Sequence, residues 1–194
     1  MVSIKFNHAV FIAFAIVSAM VTTASAAVFD TPVYDPVSKK YYALVNVRAP
    51  NEPYPRNEGF TWELADSDAR SRTYRGVQGR MAVVNSIGVH EFLLQNFHSD
   101  VEAWIGLRYW CKRHKLQWSD GTYLDRGDFS AWDPVWKQDS GACNSDTSMH
   151  PKNAEQFMPV AYSKSGFQNG FRWIGKGWAK RYLEYFIEFP TEHP

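Results

Sequence analysis

The chain has 194 residues, 45% hydrophobic, 21% charged and 16% aromatic, with 21 basic residues against 20 acidic. Near-neutral charge excludes the salt-sensitive hold on phosphate backbones that a strongly basic protein has, and the hydrophobic content excludes a disordered chain. Two cysteines are too few for a disulfide-framework miniprotein, a Cys-rich zinc site or an iron–sulfur cluster, whereas 8 Trp, 10 Tyr and 13 Phe can furnish a core or a contact surface.

Residues 1–26 read as a secretory signal peptide. A single base, Lys5, precedes an apolar run from Ala9 to Val21, and Ala24-Ser25-Ala26 supplies the small residues of a cleavage site. The run is short for a membrane span of roughly 20 residues, with an uncleaved anchor as the alternative, and no second run follows. A secreted or periplasmic protein with no stable membrane span is therefore expected, its cysteines meeting an oxidising compartment.

Residues 27–39 form an extended, proline-punctuated lead-in, and Lys40 to Val47 reads as the first strand. Pro50, Pro53 and Pro55 mark a loop. Thr61 can cap a helix whose apolar face carries Trp62, Ala65 and Ala69. Gly76 and Gly79 bracket a turn before a short buried strand, Met81 to Val84. Ser86 caps a second helix with Val89, Phe92, Leu93 and Phe97 on one face. Beyond residue 100 the helical period disappears. Ala103 to Leu107 and Leu116 to Trp118 read as strands, with Ser119-Asp120-Gly121 as a turn. Residues Asp125 to Asn153 form a long polar loop, and Phe157 to Tyr162, Gly170 to Ile174 and Tyr185 to Phe189 are closing strands. Two helices followed by short antiparallel strands make a single α+β domain.

Seven segments in this order resemble the C-type lectin-like domain family. Tyr41-Tyr42-Ala43-Leu44-Val45 sits at its first strand, and Thr61 to Ala69 is similar to its first helix. Gly79 to Ser86 resembles its Gly-x-Leu-(Ala/Val)-x-Ile-x-Ser link, and Trp104-Ile105-Gly106-Leu107 matches its Trp-Ile-Gly-Leu motif. Trp118-Ser119-Asp120-Gly121, Trp132-Asp133-Pro134 and Tyr185 to Phe189 follow at suitable spacing. The resemblance implies a C-type lectin-like fold over residues 40–190, two helices packed on short antiparallel sheets with a long loop region. In that fold Trp62, Trp104, Trp118 and Trp132 are core rings, and Gly106 stands where a side chain would obstruct packing.

The sequence departs from the family at its sugar-chelating calcium site, which relies on a Glu-Pro-Asn or Gln-Pro-Asp tripeptide and a later Trp-Asn-Asp. Calcium needs 6–8 hard oxygen ligands. Here the tripeptide falls on Trp136-Lys137-Gln138, and Trp173-Ile174-Gly175 stands in place of Trp-Asn-Asp. No metal and no cofactor are expected; the alternative is a shifted site using Gln138 and Asp139 with Asp133, Asn144 or Asp146. The family often ties its first helix to its last strand by a disulfide, but here Ile187 stands at the last position. Cys143 lies near a family cysteine position in the long loop and Cys111 close to the loop's return. The resemblance thus suggests a Cys111–Cys143 bridge, with two free thiols as the alternative.

What remains is an aromatic and cationic ligand-binding surface: Trp136, Lys137, Gln138, Asp139, Arg172, Lys176 and Trp178, with Trp173 expected in the core. Catalytic residues are not found, because there is no phosphate loop, no His-Glu-x-x-His and no nucleophile elbow. The histidines are scattered; His90 and His98 share a predicted helix two turns apart and read as solvent-facing. The expected protein is a secreted, non-catalytic binding module whose partner is a glycan, with a protein partner (adhesin, receptor or inhibitor) as the alternative and a grafted enzyme as the third reading.

Overall fold

The computed structural model describes residues 28–29, 31–46, 59–99, 101–134, 143, 155–164 and 171–191. Residues 1–26, the proline-rich stretch 49–57 and most of the long loop, including Trp136 to Asp139, lie outside them.

Two helices, α1 (Trp62–Ser71) and α2 (Ile87–Asn96), flank a sheet of ten strands. The strands of the sheet are β1 (Val28–Phe29), β2 (Val33–Asp35), β3 (Lys40–Asn46), β6 (Arg80–Met81), β7 (Ala103–Trp110), β8 (Lys115–Trp118), β9 (Tyr123–Leu124), β10 (Phe157–Lys164), β11 (Phe171–Gly175) and β12 (Glu184–Pro190). Their main path runs β1-β3-β12-β7-β10-β11. A separate hairpin pairs β4 (Thr73–Tyr74) with β5 (Val77–Gln78). Pairing is antiparallel except between β12 and β7, which run parallel.

The lead-in joins the sheet, since β1 and β2 both pair with β3, so the strand expected first is the third. The strand expected at Met81 to Val84 is instead Arg80–Met81, so only Met81 of the four lies in it, although all four residues from Met81 to Val84 are buried.

Alternation along the central strands explains why one sheet carries two cores. Side chains of a strand point to opposite faces in turn. Ala43, Val45, Trp104, Ala161, Tyr185, Ile187 and Phe189 pack with Trp62, Ala65 and Ala69 of α1. Tyr42, Leu44, Ile105, Leu107, Val160, Tyr162 and Phe186 pack with Val89, Leu93 and Phe97 from the α2 side. Both helices begin as the sequence indicates: Thr61 accepts from the Leu64 N–H and Ser86 from the Val89 N–H, each satisfying one otherwise orphaned amide.

The large rings bring their polar atoms with them. Trp62 Nε1 donates to Ile105 O at 2.8 Å, and Trp104 Nε1 to Phe60 O at 2.7 Å. Trp62, Trp104 and Trp118 are fully buried, whereas Trp132 is half-buried against its cluster. Gly106 has no room for a side chain, because a Cβ there would lie 2.7 Å from Ser119 Oγ and 2.8 Å from the carbonyls of Met81 and Ala82. Ile187, in place of a cysteine, joins α1 to the last strand through apolar packing with Ala65 and Ala69. The Tyr185 hydroxyl, donating to Asp68, adds a polar tie between the same two elements.

Cys111 and Cys143 form a disulfide with their Cα atoms 5.6 Å apart, across a sequence separation of 32. Closing a loop of that length stabilises by roughly 3–4 kcal/mol through the unfolded chain. The bridge fixes one point of the long loop to the turn between β7 and β8.

Candidate functional site

The base of the long loop is built on the edge strand β11. Trp173 N donates to Ala131 O at 2.8 Å, and Asp133 N donates to Trp173 O at 3.0 Å. The fully buried Trp173 ring meets Trp118 and Trp132 at 5.6 Å and Phe129 at 5.8 Å, all edge to face, the arrangement that aligns ring edges with electron-rich faces. The chain entering the long loop is thus clamped by both backbone and rings up to Asp133. Trp173 belongs to the core, as its place in the strand alternation requires.

The seven expected site residues do not form one cluster. Trp136, Lys137, Gln138 and Asp139 lie outside the described residues. Arg172 is half-buried at one end of β11, opposite Ser163, and lines a cleft shared with α2. Lys176 follows the other end of that strand. Its Nζ lies 3.7 Å from Glu102 and its backbone N–H donates to Pro159 O at 2.8 Å. Four steps along the strand place Lys176 about 13 Å from Arg172. Trp178, half-buried, sits in the turn leading toward β12.

Strand β11 offers no donor set for calcium. Where the family places Trp-Asn-Asp, the structure has a buried indole at Trp173, an aliphatic Ile174 and a glycine, none with a side-chain oxygen. Among the described residues, no three His, Cys, Asp or Glu side chains converge as a metal site.

The cleft beside α2 was not anticipated from the sequence. It measures about 480 Å³ and is lined by Ile87, His90, Glu91, Gln95, Phe129 and Arg172 among others. His90, expected at the surface, is buried. Its ring lies 5.6 Å from that of Phe129, and we assign Tyr162 Oη, 2.7 Å away, as donor to His90 Nδ1. Burial, aided by the positive charge of Arg172, holds the imidazole below the usual histidine range. Burial also pushes the Tyr162 phenol well above its ordinary value, so it stays protonated and able to donate. A signal for this was present: His90, Leu93 and Phe97 are spaced i, i+3 and i+7, which places the histidine on the buried face.

The depressed His90 pKa makes stability pH-dependent. Below about pH 6.5, the ordinary histidine value, the unfolded chain takes up a proton that the folded protein resists. The contribution is complete above that pH and is lost as pH falls toward the lower folded-state value, by at most about 1.4 kcal/mol per pH unit. Urea titrations at pH 7.5 and 5 should therefore show weaker folding at pH 5, with a smaller difference in His90→Gln. An unchanged difference in that variant would assign the effect to other groups.

The family described as "Lectin C-type domain" matches residues 61–156. The chain is similar in structure to the C-type carbohydrate-recognition domain of cow CD23, solved in the presence of a GlcNAc2Man3 oligosaccharide: 17% identity, 84% of this chain and 95% of that one covered, TM-score 0.53. It is also similar to the C-type lectin CEL-I from Cucumaria echinata, at 16% identity, 78% and 91% coverage and TM-score 0.47. The C-type lectin domain of murine dendritic cell inhibitory receptor 2, solved in complex with N-glycan, matches at 14% identity, 74% and 100% coverage and TM-score 0.47. None of the curated proteins compared with the chain matches it.

Proposed function

We propose that the chain is a secreted, non-catalytic C-type lectin-like binding protein whose ligand is a glycan; the lectin C-type match over residues 61–156 and the fold shared with the cow CD23 domain support this reading. The glycan is held through the long loop without the family's usual calcium site. The observation that carries this reading is the Trp173 clamp. It gives the loop a rigid base while leaving β11 without a side-chain oxygen for a metal. Two residues beyond Pro134 the sequence places Trp136, followed by Lys137, Gln138 and Asp139. An indole face stacks on the apolar face of a sugar ring, and the neighbouring amide and charged groups hydrogen-bond to hydroxyls. Lys176 and Trp178 extend the surface from the turn after β11. No helix among the described residues is long and apolar enough to cross a membrane.

A glycan array probed with the full chain, with and without EDTA, tests the reading. Binding insensitive to EDTA and weakened about tenfold or more by Trp136→Ala, with the circular dichroism spectrum retained, is the expected result. Calcium-dependent binding would refute the calcium-free site. No sugar binding at all would move the assignment to a protein partner.

A further inference from the structure

The cleft between α2 and residues 129–131 presents chemistry that the long loop does not use. We propose that it is a second binding site, taking a small hydroxyl-rich ligand with one carboxylate, an acidic monosaccharide in class, whose carboxylate is held by Arg172. The carboxylate follows from the geometry here; the choice of a sugar rests on the glycan reading above.

Arg172 is the anchor. Its side chain is half-buried at the cleft wall, and among the described residues no carboxylate lies within ion-pair distance of it. A guanidinium presents its donors in a planar fork that matches a carboxylate in paired hydrogen bonds, and such charge-assisted bonds are stronger than neutral ones. The rest of the lining selects the body of the ligand. Ile87, Leu94 and Phe129 offer apolar surface for a ring face, while Ser130, Gln95 and Glu91 offer donors and acceptors for hydroxyls. Glu91 also limits charge, since a second negative group such as that of a phosphate dianion would meet its carboxylate. His90, held neutral, adds no competing charge. The volume of about 480 Å³ falls within the roughly 300–1,000 Å³ usual for small-ligand pockets.

The test is an NMR titration of the isotopically labelled full chain, in EDTA, with D-glucuronate, D-glucose and benzoate as probes. Glucuronate should shift the α2 amides around His90 to Gln95 and the His90 imidazole signals, and glucose at equal concentration should not. Arg172→Gln should weaken glucuronate binding about tenfold to a hundredfold, as expected for loss of a charged hydrogen bond, and Arg172→Lys should restore part of it. Lys180→Gln, which removes an exposed cation elsewhere, should leave the titration unchanged. No response to either carboxylate, or equal affinity in Arg172→Gln, would overturn the site. Benzoate binding as well as glucuronate would overturn the sugar class while retaining the carboxylate site. The long-loop reading is decided separately, by Trp136 on the array, so failure of one is distinguishable from failure of the other.

Discussion

Replacing Glu188 with alanine should lower stability by about 3–5 kcal/mol, the usual cost of breaking a buried ion pair from one side. Glu188 is fully buried in the middle of the sheet. Its Oε1 accepts from Arg80 Nε at 2.7 Å and Lys40 Nζ at 3.2 Å, and its Oε2 from Val83 N at 3.0 Å. The alanine variant leaves two cations without their shared partner and a buried amide without an acceptor. The penalty therefore measures what is orphaned, not a net gain from burying the charges. Lys40 keeps about a fifth of its side chain exposed, so water can solvate what its removal disturbs. Lys40→Met should accordingly cost about 1 kcal/mol. For a domain of this size the alanine variant should melt about 6–20 °C lower. Similar losses in Glu188→Ala and Lys40→Met would show that water reaches the cluster.

Trp173→Ala should be comparably severe, at about 3–5 kcal/mol, the usual cost of truncating a large buried ring. Its consequence is wider because of where the ring sits. Trp173 meets Trp118 from the sheet and Phe129 and Trp132 from the entry to the long loop, so its removal opens the seam between them. The same residue's backbone bonds to Ala131 and Asp133 would persist but lose their cover from water. Hydrogen exchange should therefore accelerate at Trp173 and Asp133, whose N–H groups make those bonds, more than in β3 or β12. Sugar binding should fall with it, and Trp173→Phe should recover most of the stability. Unchanged exchange at both amides would show that the backbone alone holds the loop base.

The elements legible in advance were those with a physical pattern several residues long. Thr61 followed by Trp62, Ala65 and Ala69 announces α1, because a cap and a stripe at helical spacing reinforce each other. Strands β3, β7 and β12 were legible as runs of β-forming residues, although both of their faces are buried and no polar alternation marks them. The β4–β5 hairpin was not, since two-residue strands carry no measurable period. Its turn depends on positive φ at both Arg75 and Gly76, and only the glycine advertises that. The buried Glu184 was hidden for another reason. Its carboxylate is satisfied by Asn46 and Ser99, which are 138 and 85 residues away, so no local pattern reveals the compensation. The expected ligand surface was read from residue types near the loop. Strand geometry then separated Arg172 from Lys176 and gave Arg172 different neighbours, on α2.

Strand β12 also sets the order in which the protein can form. It pairs with β3, β6 and β7, and it supplies Glu188 to Arg80 and Lys40. It is the last of the described elements to leave the ribosome, yet it occupies the centre of the sheet. Until it arrives, β3 and β7 have no strand between them, and neither helix has a complete surface to pack on. A domain built this way gains most of its stability only once β12 joins β3 to β7, because its decisive contacts connect distant segments.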